Sequence, residues 1–331
     1  MLAAISKGGR IKVRDTSRPV PGPGDVIVKI QAAGICETDV HMTLNPGDPS
    51  RESVMGHEWS GVVESTSCGL EAGARVIGEG MVGCGSCPMC RGGRPNLCDS
   101  YMEIGFSLPG AYAEYLGVPA ANIHRLPREM SFEEGAMVEP TAVACHALEL
   151  SGMEGGDSVA ILGPGPIGLL ALQVARAKGA GSIALTGTRE NRLEMGRALG
   201  ADMTVNVKCE DPVKTIRSEI SGGPDVVLDA AGTASSFDQA TRIAAKGGNI
   251  VLVGAWDSVT WSPGITIVKE LQIRGSLASP GAWPLAIDLI RRGRVDVKSL
   301  ITHRFPLPEI ASAFDLVERR ADGVVKAVIF P

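Results

Sequence analysis

The hydrophobic pattern changes character once along the chain. Over the first 140 residues, apolar positions come in short β-branched runs bounded by glycine and proline, as at 25–30 (DVIVKI) and 59–64 (WSGVVE). Such runs predict strands. From about residue 139, continuously apolar runs alternate with stretches of helical spacing. Strands are predicted at 158–162, 182–186, 225–229 and 249–253, and helices at 167–178, 191–199 and 234–245. That alternation makes βαβ units and a parallel sheet. Helices on both faces of such a sheet bury its strands completely, so VAIL, VVLD and IVLV show no in–out alternation. After about 281 the alternation ends, leaving a helix at 283–292 and a closing VVKAVIF strand, both expected to pack back onto the first domain.

Two segments depart from this rhythm. Residues 158–175 carry no charge and resemble a membrane span in length. Three glycines and two prolines interrupt them, which reads instead as strand, tight turn and helix. Residues 78–99 are dense in glycine and cysteine and have too little apolar periodicity to build a core. Something other than hydrophobic burial must hold them.

Composition narrows the class. At roughly 150 residues per domain, 331 residues suggest two domains. A chain 44% hydrophobic and 21% charged folds rather than staying disordered. Thirty-two basic against 37 acidic residues give a net charge of −5, with no run of Lys or Arg. Neither nucleic acid nor an anionic membrane is an expected partner. The opening MLAAISKGGRIKVRD lacks the charged-then-apolar pattern of a signal peptide, so a cytoplasmic location with reduced thiols is expected. Eight cysteines are too few for a disulfide scaffold of this length, and clustered ones are better tested as metal ligands.

Four of them form such a cluster. Cys84, Cys87, Cys90 and Cys98 have the spacing C-x2-C-x2-C-x7-C. Two-residue separations let successive thiolates turn toward one centre, and a fourth from a short loop closes a tetrahedron. Free thiols are the bland alternative. An iron–sulfur cluster begins similarly, but the fourth spacing is wrong and no Cys-Pro follows. A closed four-thiolate zinc site has no open position, so its role would be structural.

Elsewhere, GICETDVH at 34–41 and GHE at 56–58 contain Cys36 and His57, 21 residues apart. Spacing alone fits a buried cysteine and a hydrogen-bonded histidine equally well. A third motif is GPGPIG, in which Gly163, Gly165 and Gly168 make G-x-G-x-x-G between a predicted strand and a predicted helix. There the glycines allow a tight turn and bring a pyrophosphate against a helix N-terminus.

GICETDVH, GHEWSGVV, the four-cysteine loop, EPTAVACHA and GPGPIG follow one another in this order along nearly the whole chain. In this the sequence resembles the zinc-dependent medium-chain alcohol dehydrogenases, most closely the polyol (sorbitol) and threonine dehydrogenase branch. The resemblance implies an α/β architecture: a GroES-like β-rich catalytic domain of residues 1–140 and 284–331, plus a Rossmann cofactor domain of residues 141–283. Substrate would sit in the cleft between them. Cys36 and His57 would bind a catalytic zinc, with Glu139 as third ligand, directly or through water, and Glu58 as an exchanging ligand. Thr38 would contact the alcohol, Asp39 would orient His57, and His41 would end a proton relay. Zinc with an open position lowers the pKa of a bound hydroxyl, and a nearby nicotinamide takes the hydride.

An NAD site usually ends the next strand with an acidic residue for the ribose. Here Gly187, Thr188 and Arg189 follow that strand, similar to the Gly-Ser-Arg of NADP-dependent members. A guanidinium without a competing carboxylate favours the 2′-phosphate of NADP over NAD, with Glu190 as an opposing charge. Pro166 and Ile167 complete the expected cofactor loop. Two zinc ions per chain, a small alcohol or ketone substrate and a homodimer or homotetramer complete the expectation. Cys68, Cys145, Cys209, His124, His146 and His303 fall on none of these functional positions and are expected to be structural. Two rivals are a zinc-free quinone-type reductase of the same fold, and a zinc-ribbon binding module joined to a nucleotide sensor. Cys36, His57 and Glu139 together oppose the first, and the net negative charge opposes the second.

Overall fold

The computed structural model describes residues 1–66, 69–254 and 258–331; Cys68 lies outside them. The chain forms two compact units, Met1–Glu139 with Val297–Pro331, and Pro140–Asp296.

The first unit is built on a seven-stranded sheet. Asp25–Gly34 lies at its centre, paired antiparallel with Glu58–Thr66, Tyr115–Pro119 and Lys326–Phe330. DVIVKIQAAG is buried on both faces because the strand packs beneath other elements on each side. Val28, Ile30, Trp59, Val63, Leu116 and Ile329 form the centre of its core. Each fully buried large aliphatic side chain contributes roughly 1.5–3 kcal/mol. The glycine-rich segment between Gly78 and Asp99 has only a two-stranded piece (Met81–Val82 with Met102–Glu103), the short helix Pro88–Arg91 and a 3-10 turn, Pro95–Leu97.

The second unit is a six-stranded, all-parallel sheet. Its spatial order is Met203–Asn206, Ser182–Gly187, Ser158–Leu162, Val226–Asp229, Asn249–Leu252, Gln272–Gly275. Chain order reverses beside Ser158–Leu162, which makes the carboxyl end of that strand the natural ligand position. The helix Pro166–Ala177 starts with proline in its first turn, where the missing N–H costs nothing, and buries Leu169, Leu170, Leu172 and Val174. No helix among the described residues is long and apolar enough to cross a membrane.

The second unit runs to Asp296, beyond the boundary near 284 that the pattern suggests. The helix Trp283–Arg291 therefore belongs to it and not to the β-rich unit. Two contacts explain the difference. Gln173 holds the Asp296 backbone from both sides, donating to its carbonyl at 3.2 Å and accepting its N–H at 2.6 Å. Trp283 is buried and donates its indole N–H to Ser279 Oγ at 3.1 Å.

Within the first unit, Arg304 on the strand Ile301–Pro306 grips Glu133 on the helix Phe132–Ala136 through two parallel bonds of 2.7 and 2.8 Å. The guanidinium hydrogen bonds hold the Glu133 carboxyl below its ordinary 4.5. A lowered carboxyl stabilises the fold above its unfolded pKa and loses that contribution as pH falls through its folded value. Glu133→Gln is therefore expected to lose up to about 1 kcal/mol at neutral pH, the ceiling for a partly exposed pair. The deficit shrinks progressively below about pH 4.5. Urea midpoints of both proteins across that range check it; a deficit independent of pH contradicts the assignment.

Candidate active site

Cys36 and His57 meet through strand register, not local spacing. Gly34 pairs with Glu58 and Ala33 with Trp59, so the end of one strand lies beside the start of the next. Cys36, two residues beyond the first strand, is the N-cap of the helix Glu37–Leu44. A thiol sulfur from Cys36, a ring nitrogen from His57 and a carboxylate oxygen from Glu58 all lie within 4.8 Å of one another. Asp39 stands behind them, fully buried, with Oδ1 3.2 Å from His57 Nδ1 and Oδ2 accepting the Cys36 N–H at 3.2 Å. With Nδ1 facing Asp39, Nε2 is the nitrogen left for a ligand.

The pocket crowds charge into a buried region. Burial works to lower the His57 pKa, but the Asp39 carboxylate and Cys36 raise it well above its ordinary value. Burial works to raise Asp39, yet His57, Tyr112 and the Cys36 N–H together hold it below the usual carboxylate range. Glu58, 1% exposed, sits 2.6 Å from the ammonium of Lys326, itself 3% exposed and also donating to the Ile35 carbonyl at 3.0 Å. Burial depresses the Lys326 pKa, and Glu58 and Cys36 more than restore it. Lys326 is a residue sequence reasoning missed; the available signal was one cation inside an apolar strand, VVKAVIF.

This donor set suits zinc. Thiolate, imidazole and carboxylate are its ordinary ligands, and three of them leave one position open. Both Glu58 oxygens lie 2.6 Å from the Lys326 ammonium, so the buried carboxylate stays charged and able to ligate. Glu139 lies outside the group of mutually close donor atoms. It occupies the first turn of the helix Val138–Leu150, partly exposed, where burial raises its pKa to about 7 against the pull of His57. Glu58 is thus the carboxylate that already stands with Cys36 and His57. Thr38, half-buried, and His41, exposed, lie one turn apart on the helix Glu37–Leu44. Phe106 tilts over His57 with ring centroids 5.2 Å apart, and with Arg51, Val54 and Leu108 it lines a cavity of about 270 Å3.

The four-cysteine loop converges as its spacing suggests. All four sulfurs lie within 4.8 Å of one another, and tetrahedral zinc would separate them by roughly 3.8 Å. Backbone N–H groups of Cys84, Cys87 and Cys90 point at the sulfurs of Cys98, Cys84 and Cys87, at 3.4–3.5 Å. The Ser86 N–H draws the Cys84 thiol down to about 6, while burial pushes Cys90 up to about 12. Of the unassigned cysteines, Cys145 is buried, its thiol pushed up to about 12 by burial, and Cys209 is exposed. His124 bonds Glu79 at 2.8 Å and His303 bonds Asp322 at 3.3 Å, both away from the donor groups.

In the second unit, Gly163 follows the strand Ser158–Leu162, Gly165 caps the helix Pro166–Ala177, and Ile167 and Gly168 fall in its first turn. Gly187 ends the strand Ser182–Gly187 and is buried. A Cβ there would run into the ring of Pro164. The missing carboxylate at 187 therefore has a packing cause as well as an electrostatic one. Arg189 is the N-cap of the helix Glu190–Ala198. Glu190 turns away to Arg197 at 2.9 Å and Asn206 at 3.2 Å, so its charge is already engaged. Asp229, also missed from sequence, is buried at the end of the adjacent strand. It accepts the N–H groups of Ala231 and Gly232 at 3.0 and 3.1 Å and the Ser236 hydroxyl at 2.9 Å.

Comparison with known proteins identifies both units. Residues 22–128 match the alcohol dehydrogenase GroES-like domain, and residues 166–292 match the zinc-binding dehydrogenase domain. The chain is 34% identical to an L-threonine 3-dehydrogenase of Anaeromyxobacter sp. (strain K), over 93% of this chain and 92% of the relative. It is 31% identical to the sorbitol dehydrogenase of Gallus gallus, over 98% and 94%. A crystal structure from Sinorhizobium meliloti 1021, assigned to the zinc-binding dehydrogenases and bound to NADP, superposes with a TM-score of 0.93. Its identity is 35%, and coverage is 100% of this chain and 99% of that one. The chain belongs to the zinc-type medium-chain alcohol dehydrogenase family, the NAD(P)-dependent oxidoreductases built from a GroES-like domain and a Rossmann domain.

Proposed function

We propose that this enzyme interconverts a small secondary alcohol, of the polyol or amino-alcohol class, with its ketone, preferring NADP to NAD and holding two zinc ions per chain. The observation that carries the reading is the convergence of a thiol, an imidazole and a carboxylate at Cys36, His57 and Glu58. When bound, zinc supplies Lewis acidity toward the alcohol and the nicotinamide supplies a hydride acceptor.

The chain's own residues do the rest. Asp39 fixes the imidazole of His57 so that Nε2 faces Cys36 and Glu58. Thr38, whose hydroxyl would give up its own proton as it takes the substrate's, and exposed His41, one turn along, would be the inner and outer ends of a proton relay to water. Lys326 balances Glu58 and keeps it available as a ligand, while Glu139 reaches the site directly or through water. Phe106, tilted over His57, gives the site an apolar wall. Cys84, Cys87, Cys90 and Cys98 hold the second zinc, which staples a loop with no core of its own. Cysteines kept available to metal at both donor groups suit a reducing compartment such as the cytoplasm.

Arg189 carries the coenzyme preference. Glu190 is engaged by Arg197 and Asn206 and does not oppose a 2′-phosphate beside Arg189. The NADP bound in the Sinorhizobium meliloti structure supports this. The reading is tested by a panel of polyols, amino-alcohols and secondary alcohols assayed with each coenzyme, alongside elemental analysis for two zinc ions. In Arg189→Ala the KM for NADP is expected to rise roughly tenfold or more, the value of one charge-assisted contact, with NAD barely affected. Equal changes for both coenzymes would refute the preference. Cys36→Ser is expected to abolish turnover and lose one zinc.

The quaternary expectation rests on an edge. Gln272–Gly275 is the last strand of its sheet, and Ile267 and Val268 beside it are 71% and 77% exposed. An open strand edge with apolar neighbours is a pairing surface. A homodimer through that edge, alone or as half of a homotetramer, covers it. Val268→Glu is expected to halve the particle mass in light scattering; an unchanged mass places the contact elsewhere.

A further inference from the structure

Tyr112 belongs to none of the motifs above, yet it touches the site from behind. It is fully buried, with its hydroxyl 2.6 Å from Asp39 Oδ2 and 3.0 Å from the Gly34 carbonyl. One phenolic proton serves these two acceptors, and the shorter, charge-assisted bond is the one to Asp39. The same carboxylate accepts the Cys36 N–H and faces His57 Nδ1 through its other oxygen. Asp39 therefore ties together the backbone of Cys36, the ring of His57 and the phenol of Tyr112.

The local backbone is arranged around that phenol. Tyr112 N–H donates to the Met55 carbonyl at 3.0 Å and Ala111 N–H to the Gly56 carbonyl at 2.8 Å, beside the segment that leads into His57. Gly56 has φ +100°, and a Cβ there would stand 2.9 Å from the nearest carbon of the tyrosine ring. A glycine before His57 is thus what admits the ring. The other side of the ring meets Phe314 edge-on, with centroids 5.8 Å apart at 81°. Packing alone would be equally served by phenylalanine. The hydroxyl is what reaches Asp39.

We propose that Tyr112 is a positioning residue: its hydroxyl fixes the Asp39 carboxylate, and through it aims His57 Nε2 at the space shared with Cys36 and Glu58. The inference rests on the reading that these three residues hold zinc. A partner behind a ligating histidine typically changes metal affinity 10- to 100-fold. Tyr112 stands one bond further back, so an effect of about tenfold is expected.

The test compares Tyr112→Phe with Phe314→Leu in the full-length, zinc-loaded protein. Zinc affinity at each site is measured by chelator competition, and the environment of the Cys36–His57 site by the visible spectrum after cobalt replacement. Tyr112→Phe is expected to weaken that site about tenfold and shift its cobalt bands, leaving the four-cysteine site unchanged as internal control. Phe314→Leu, which loosens the ring's packing but keeps the hydroxyl, is expected to lower the melting temperature without moving zinc affinity. Unchanged affinity and spectrum in Tyr112→Phe overturn the proposal, as does an equal loss of affinity in Phe314→Leu. If instead wild type and Cys36→Ser hold the same amount of zinc, the metal reading itself falls and the proposal with it.

Discussion

Burying several ionisable groups in one region is the constraint around which the first unit is organised. Asp39, His57, Glu58 and Lys326 are each less than a tenth exposed. An ion moved from water into such surroundings costs several kcal/mol unless it is paired and hydrogen-bonded. Each group is therefore supplied with a partner drawn from a different part of the chain. Asp39 has His57, Tyr112 and the Cys36 N–H. Glu58 has Lys326. These pairings need the strand Asp25–Gly34 between Glu58–Thr66 and Lys326–Phe330, which is the order the sheet adopts. Sheet order and charge compensation are one requirement seen from two sides.

What could be read from the sequence depended on whether the signal was local. The cysteine spacing is a property of fifteen residues, so convergence at Cys84–Cys98 was visible without tertiary information. The strand–glycine–helix passage around Gly163 is likewise local. The proximity of Cys36 to His57 is not: it rests on Gly34 pairing with Glu58, and only family resemblance suggested it. Lys326 and Tyr112 escaped for the same reason, being far in sequence from what they touch. Glu139 and Glu58 were both candidate carboxylates, and spacing could not rank them.

Some elements were missed for other physical reasons. Met203–Asn206 is an edge strand, half-buried, so it lacks the continuous apolar run of its neighbours. Pro212–Glu219 is mostly polar and announces itself only through Asp211, whose side chain caps the helix, followed by a first-turn proline. The helix Trp283–Arg291 reads as an isolated segment, and nothing in its pattern reveals the grip of Gln173 on Asp296. Gly187 carries a different lesson. An absent carboxylate invites an electrostatic explanation, while a side chain there would also require the ring of Pro164 to shift.

The Glu58–Lys326 pair joins residues 268 positions apart. On a ribosome adding about 5–20 residues per second, the acidic partner waits on the order of tens of seconds for its cation. During that interval the strands that flank Cys36 and His57 can pair, but their pocket holds an uncompensated carboxylate. Glu58 must stay hydrated until Lys326–Phe330 is made. Assembly of the site during synthesis is thereby tied to the late-emerging strand.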